Sequence, residues 1–323
     1  MNHILMDFVE VTEIAAIASH HWIGRGNKYE ADNATTKAMR KRLNQISMEG
    51  RVVIGEGELD EAPMLFIGEQ VGSGAGVKLD IAVDPLEGTN LMTTGRGNSI
   101  AVIAASREGT LLHAPDMYME KIAVGPKAAG KIDIEAPLLV NMKIVSECNG
   151  KKLSDIYVIV QDRERHQHII DQIHEVGGRV QLFDDGDIIF SIAAAMTNSN
   201  VDMFIGIGGA PEGVLSSVAL KCLGGELQGK LLPANEEEYD RCIQMGISNP
   251  MAPLRMNQLV NSDECLFAAT GITDSFLLKG VSYDSGKLVT ESLLMYGKQK
   301  KAQFIKSVHC YETLFRDSLK NAI

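Results

Sequence analysis

Between Phe8 and Trp22, Val11, Ile14, Ala15 and Ala18 recur on one face of a 3.6-residue repeat, while Asp7, Glu10 and Glu13 fall on another; this predicts an amphipathic helix. Met39, Leu43 and Ile46 repeat the spacing, with Lys37, Arg40 and Lys41 turned to solvent. They predict a second helix that follows Asp32 and leaves that carboxylate near the helix start. Short apolar runs bounded by glycine come next: Arg51–Ile54, Leu79–Val83 and Ser99–Ala105, each the length of a buried strand. From Asp155 onward the texture becomes strand, loop, helix. Tyr157–Val160 precedes a helix from His166, Arg179–Phe183 a helix from Ile188, and Val201–Ile207 a helix from Val214; Cys265–Ala269 is followed by Ser275–Lys279 in the same sense. This alternation predicts an α/β fold with a parallel or mixed sheet and ligand loops at strand ends. The Gly-, Ala- and Lys-rich stretch Pro126–Pro137 is the candidate seam, dividing the chain into α/β halves of residues 1–135 and 136–323.

Composition narrows the chemistry. With 323 residues, 45% of them hydrophobic and only 9 prolines, the chain can build one large core or two closely packed ones. A net charge of −11 argues against nucleic acid or an acidic membrane surface as partner, because phosphate-rich surfaces need clustered Lys and Arg. A phosphorylated ligand would therefore need a metal's help. Cys148, Cys222, Cys242, Cys265 and Cys310 are dispersed, with no C-x-x-C pair, which suits a reducing cytoplasm. Asp7, Glu10 and Glu13 interrupt the N-terminal apolar positions, and no stretch approaches the ~18 apolar residues of a membrane span. Neither export nor a membrane anchor is expected.

Three segments carry candidate chemistry. In Leu79–Asn90 a buried strand ends in Asp84 and turns through Pro85 and Gly88, aiming Asp84, Glu87 and the Thr89 hydroxyl at one point. Two hard carboxylates beside a hydroxyl suit Mg²⁺ or Mn²⁺. Backbone N–H groups at Gly88 and Thr89 would add an anion site if they open a helical turn; an acidic turn capping a strand is the alternative. In Gly55–Glu61 the carboxylates Glu56, Glu58, Asp60 and Glu61 crowd into a turn eased by glycine, which either holds a cation or is a solvated acidic loop. Gly206–Gly213 links an apolar strand to a helix, but lacks G-x-G-x-x-G spacing and places Pro211 and Glu212 where a pyrophosphate would approach. Glu212 reads as a metal ligand, or the segment as a structural connection.

Two loops offer substrate contacts. Gln161–His166 carries Arg163 and Arg165, which could grip a phosphate, and Asp184–Asp187 offers acceptors for sugar hydroxyls; either could equally be an ordinary polar loop. There is no H-E-x-x-H, G-x-S-x-G or G-x-x-x-x-G-K-[ST]. His166 and His168 flank a predicted helix start and read as surface or loop residues, and the 15 scattered methionines as core filling.

Taken together, the ordered segments V-T-E-x-A-A (Val11–Ala16), G-R-G-N-K (Gly24–Lys28), V-I-G-E-G-E-L-D-E-A-P-M-L (Val53–Leu65), D-P-L-E-G-T (Asp84–Thr89), A-P-D-M-Y-M (Ala114–Met119), G-I-G-G-A-P-E-G (Gly206–Gly213) and A-T-G-I-T (Ala269–Thr273) span the chain nearly end to end. In these the chain resembles the class II fructose-1,6-bisphosphatases, within the lithium-sensitive, metal-dependent sugar phosphatases. The resemblance implies a layered α-β-α-β-α sandwich with the active site between the halves. It implies metal ligation by Asp32 and Glu56 at one site and by Asp84, Glu87 and Glu212 at another, with two or more Mn²⁺ or Mg²⁺ ions. Substrate contacts would come from Glu87, Gly88, Thr89, Tyr118, Arg163, Glu164, Arg165, Asp185, Gly186, Asp187 and Gly209, and Thr89, Lys28, Glu58 and Asp60 would serve the chemistry. Glu164 stands where many members carry proline, and Pro233–Cys242 is shorter than in longer members. The implied reaction is hydrolysis of the 1-phosphate of fructose 1,6-bisphosphate, a step of gluconeogenesis, by a cytoplasmic homo-oligomer, a dimer or tetramer. Sedoheptulose 1,7-bisphosphate and inositol monophosphate are rival substrates, and a non-catalytic sugar-phosphate sensor is the rival from another class.

Overall fold

The alternation of side chains along the strands sorts the molecule into layers. The computed structural model describes residues 1–57, 64–197 and 199–310. In chain order its helices and strands are α1 (Leu5–His20), α2 (Lys28–Leu43), β1 (Met48–Ile54), β2 (Gln70–Val71), β3 (Val77–Glu87), α3 (Thr89–Thr93), β4 (Ile100–Arg107), β5 (Tyr118–Val124), α4 (Leu138–Asn149), β6 (Tyr157–Gln161), α5 (Gln167–Glu175), β7 (Arg179–Phe183), α6 (Asp187–Ala193), β8 (Met203–Gly209), α7 (Ala210–Leu223) and β9 (Glu226–Leu231). There follow α8 (Glu236–Gln244), α9 (Met256–Leu259), β10 (Cys265–Gly271), β11 (Ser282–Asp284), β12 (Lys287–Tyr296) and β13 (Lys301–His309).

An eight-stranded mixed sheet runs β11-β12-β10-β4-β3-β1-β2, with β13 paired to β12, and a five-stranded mixed sheet runs β7-β6-β8-β5-β9. Successive residues of a strand face opposite sides, and burial follows suit. In β4, Ala101, Ile103 and Ala105 pack with α1 and α2, while Ile100, Val102 and Ala104 pack with α6 and α7. In β6, Ile159 meets that same central helical layer, whereas Val158 and Val160 pack with α4 and α5. The order is therefore α, β, α, β, α, and both sheets are covered on both faces.

The structure corrects several details of the sequence reading. Asp32 lies in the second turn of α2, because Asn27 caps the helix earlier by accepting from the Glu30 N–H at 3.2 Å. Strand β3 runs on through Pro85 to Glu87 instead of ending at Asp84. Gly206–Gly209 complete β8, and α7 begins at Ala210 with Pro211 in its first turn, where a missing N–H costs nothing. Ser275–Lys279 is a turn closed by the Ser275 N–H to the Leu278 carbonyl at 2.8 Å. Pro126–Pro137 does not separate the two sheets: β5 precedes it yet belongs to the second sheet, and β10–β13 return to the first. That stretch instead docks on β9, with Gln228 donating to the Ile132 carbonyl at 2.8 Å. Among the described residues no helix is long and apolar enough to cross a membrane.

Candidate active site

The site starts from an irregularity in β3. Asp84 is paired with Val102 and Glu87 with Ile100, so one extra residue bulges between them. Residues three apart on a regular strand point to opposite faces; the bulge brings Asp84 and Glu87 to the same side. Pro85, with no N–H to offer the ladder, fits there, and the Leu86 N–H fixes Asp84 by donating to its Oδ1 at 3.1 Å. Gly88 then adopts φ +80°, a left-handed conformation that lets α3 start immediately at Thr89.

A cleft of about 340 Å³ opens here, lined by Asp32, Glu56, Asp84, Leu86, Glu87, Gly88, Thr89, Asn90, Asp185 and Glu212. Helix α2 supplies one wall through Asp32, with Lys28 one turn before it and Thr36 one turn after. Thr89 Oγ1 lies 3.1 Å from Asp32 Oδ1 and 2.9 Å from the Leu86 carbonyl, so its one proton serves one or the other. Thr36 donates to Glu56 Oε2 at 3.4 Å. The opposite wall is the first turn of α7. A Cβ added to Gly209 would come within 1.9 Å of Glu212 Oε2, so only glycine leaves room for that carboxylate.

Ligand oxygens of Asp84, Glu87 and Glu212 lie within 4.8 Å of one another. Among the described residues, Glu87 Oε1 and Glu212 Oε2 are buried without a hydrogen-bond partner, a costly state that a cation would relieve. Burial raises Glu87 well above the usual carboxylate range, with Asp84, Glu212 and Asp187 adding repulsion, and it raises Asp84 as well. Glu212 is pushed up to about 7 by burial and by Asp187, against the opposing charge of Lys121. Glu56 opens to solvent on one side, yet the surrounding protein, Asp84 and Asp32 push it up to about 8. Asp32 is raised by burial, less so because Thr89 and Lys28 favour its charged form. An all-oxygen, strongly acidic donor set of this kind fits hard divalent ions such as Mg²⁺ or Mn²⁺.

The other residues expected from sequence to contact substrate lie on the second sheet and the segments at its strand ends. Tyr118, exposed on β5, is paired with Gly209. The Arg165 guanidinium sits 5.3 Å from the centre of the Tyr118 ring. Arg163 and Glu164 are exposed, and Arg163 donates to the Asp162 carbonyl at 3.1 Å. Asp185 lines the cleft, and Gly186 takes φ +84° at the start of α6. Asp187 is tied to Lys121, whose Nζ also donates to the Gly209 carbonyl at 2.8 Å. Lys28 does not line the cleft and acts on it through its charge beside Asp32. Glu58 and Asp60 lie outside the described residues.

Sequence reasoning missed two residues that shape the site. Lys121 is 1% exposed; its signal was a cation directly before the apolar run Ile122–Val124. His166, read from sequence as a surface or loop residue, is fully buried.

A family model for bacterial, glpX-encoded fructose-1,6-bisphosphatase matches residues 2–309. The class 2 fructose-1,6-bisphosphatase of Haemophilus influenzae is 43% identical over 330 aligned residues, covering 98% of this chain and 99% of that protein. Fructose-1,6-bisphosphatase 1 class 2 of Escherichia coli K12 is 44% identical over 321 residues, covering 95% of each. A D-fructose 1,6-bisphosphatase class 2/sedoheptulose 1,7-bisphosphatase of Synechococcus elongatus is 42% identical over 339 residues, covering 98% of each. Matched along nearly its whole length, with its converging carboxylates inside the matched region, the chain belongs to the bacterial, glpX-encoded fructose-1,6-bisphosphatase family.

Proposed function

We propose that the chain is a phosphoric monoester hydrolase that removes the 1-phosphate of fructose 1,6-bisphosphate, giving fructose 6-phosphate and inorganic phosphate. The observation that carries this reading is the pair of buried, unpartnered oxygens, Glu87 Oε1 and Glu212 Oε2, converging with Asp84. Asp84, Glu87 and Glu212 would hold one divalent ion, and Asp32 and Glu56 another. Bound Mn²⁺ or Mg²⁺ supplies Lewis acidity toward phosphate oxygens and acidifies water. Thr89 Oγ1, backed by Asp32, holds the attacking water in line, and Glu56 or Glu58 takes its proton. The water oxygen bonds to phosphorus as the bond from phosphorus to the sugar oxygen breaks, and the sugar oxygen takes up a proton from solvent water as it leaves. N–H groups at Gly88 and Thr89 face the equatorial oxygens. Arg163, Arg165 and Tyr118 take the distal phosphate, the Asp185–Asp187 loop and Gly209 take the sugar, and Lys28 and Asp60 stand near the reacting group. The enzyme works in the cytoplasm as a homo-oligomer.

A second reading, sedoheptulose 1,7-bisphosphate as a further substrate, is favoured by the double name of the Synechococcus elongatus relative. The test is phosphate release from both bisphosphates and from inositol monophosphate, with Mn²⁺, and with fructose 6-phosphate identified as product. Turnover of fructose 1,6-bisphosphate well above inositol monophosphate, lost in Asp84→Ala, is expected. Hydrolysis of inositol monophosphate alone would overturn the reading.

A further inference from the structure

His166 has no role in the chemistry above, yet few side chains are held so closely. It ends a 3-10 turn, Glu164–His166, between β6 and α5, and its ring is fully buried. The Ile207 N–H donates to His166 Nε2 at 2.8 Å, which makes that nitrogen an acceptor. The ring proton of the neutral imidazole therefore sits on Nδ1 and is donated to the Gln161 carbonyl at 2.9 Å. Burial lowers the pKa of His166; the Gln161 carbonyl opposes this, but Arg165, His168 and Arg163 add to it, and the net direction favours the neutral form this arrangement needs.

The two residues that His166 ties together are the two that hold Arg165. Arg165 Nη2 donates to the Gln161 side-chain oxygen at 2.8 Å and to the Ile207 carbonyl at 2.8 Å. Both hydrogens of Nη2 are thus used, while among the described residues Nε and Nη1 make no side-chain hydrogen bond, and the guanidinium lies over the Tyr118 ring. An exposed arginine would otherwise sample many rotamers, and each immobilised side chain of this kind costs binding free energy.

We propose that His166 is a positioning residue for the arm that receives the distal phosphate. By fixing Gln161 on β6 to Ile207 on β8, it sets the two acceptors that aim the Arg165 guanidinium. This rests on the bisphosphate reading above, and it makes His166 a determinant of preference for substrates with a second phosphate.

The experiment compares wild type, His166→Leu and His166→Gln on fructose 1,6-bisphosphate and on p-nitrophenyl phosphate, which has no second phosphate. In His166→Leu the KM for the bisphosphate is expected to rise about tenfold, the scale of one or two lost hydrogen bonds, with kcat within about twofold. Hydrolysis of p-nitrophenyl phosphate should stay unchanged. His166→Gln, whose amide can both accept and donate, should restore most of the KM. If the Leu variant does not fold, His166→Asn takes its place, since its shorter amide cannot span both partners. Equal losses on both substrates would overturn the proposal, as would an unchanged KM for the bisphosphate. A wild-type enzyme with no preference for the bisphosphate would overturn the reading beneath it, and the proposal with it.

Discussion

Gly209 shows how one absent methyl group makes room for a proposed metal ligand. Its φ of −67° is open to any residue, so a Gly209→Ala substitution meets no backbone strain; its new Cβ would instead fall 1.9 Å from Glu212 Oε2. Displacing that carboxylate is expected to weaken Mn²⁺ binding about 10- to 100-fold, the usual range for perturbing a ligand's support, as measured by calorimetric titration. Unchanged affinity would remove Glu212 from the ligand set. Thr89→Ala should keep Mn²⁺ binding and lower kcat by roughly 10²-fold, the scale of a positioned acid–base or polarising group; near-normal turnover would contradict its role. The carboxylates also fix a pH dependence. In the metal-free fold Glu212 is raised to about 7 and Glu56 to about 8, above the ordinary 4.5. The folded state then binds more protons than the unfolded chain between those limits, so the stability that these two carboxyls contribute is fully present below pH 4.5 and is lost as the pH rises toward 8. Glu212 dominates, because Glu56 is screened by solvent. EDTA-treated protein should show a lower Tm at about pH 8.5 than at about pH 5.5, with Mn²⁺ lifting it most at the higher pH. No lift by Mn²⁺ at the higher pH would count against the cluster as a cation site.

Among the elements, α6 couples the core to the Asp185–Asp187 loop proposed to take the sugar. Phe190 on α6 stacks on Phe183 of β7 with ring centres 4.3 Å apart, and Asp187 at the helix start meets Lys121. Phe190→Ala should cost about 3–5 kcal/mol in urea unfolding, as a large buried ring replaced by methyl does; a loss under about 1 kcal/mol would mean the helix is not pinned there. Elements with a clear period were legible from sequence as elements: α1 and the buried runs of β3 and β4 form where the pattern put them. The inner face of α1 was misjudged, since Glu13, expected in solvent, is buried and accepts from Thr290 at 3.2 Å, while Ile14 and Ala18 are only half-buried. Glycine-rich segments were not. Gly206–Gly213 carries almost no hydrophobic periodicity, so nothing marked where β8 gives way to α7, and a strand–helix junction read as a loop. The bulge in β3 was equally silent, since its effect is a reversal of facing and not a change of residue type. His166 was misread because a histidine satisfied by two backbone groups looks, in sequence, like any polar residue before a helix.

At the scale of the molecule, the acidic cleft takes residues from both halves of the layered fold. Asp84 and Glu87 come from the first sheet, while Glu212 heads a helix in the layer between the sheets and Asp185 follows β7 of the second. An exposed pair, Arg96 and Asp184 at 3.3 Å, crosses between the same two regions. The five-layer order was expected from the resemblance, but strand membership was not readable from composition: the return of β10–β13 to the first sheet depends on pairings such as Phe267 with Ala104, distant in the chain. Motif order along the sequence named the carboxylates, and only the fold shows Asp84, Glu87 and Glu212 converging. The most direct test of that convergence is phosphate release from fructose 1,6-bisphosphate by EDTA-stripped protein as Mn²⁺ is added back, in wild type and in Glu212→Gln. Release should be absent without metal, rise to saturation with Mn²⁺ in wild type, and fall at least about 10²-fold in the variant at the same metal concentration. Release that survives EDTA, or a variant that matches wild type throughout the titration, would contradict the assignment of this cluster as the catalytic metal centre.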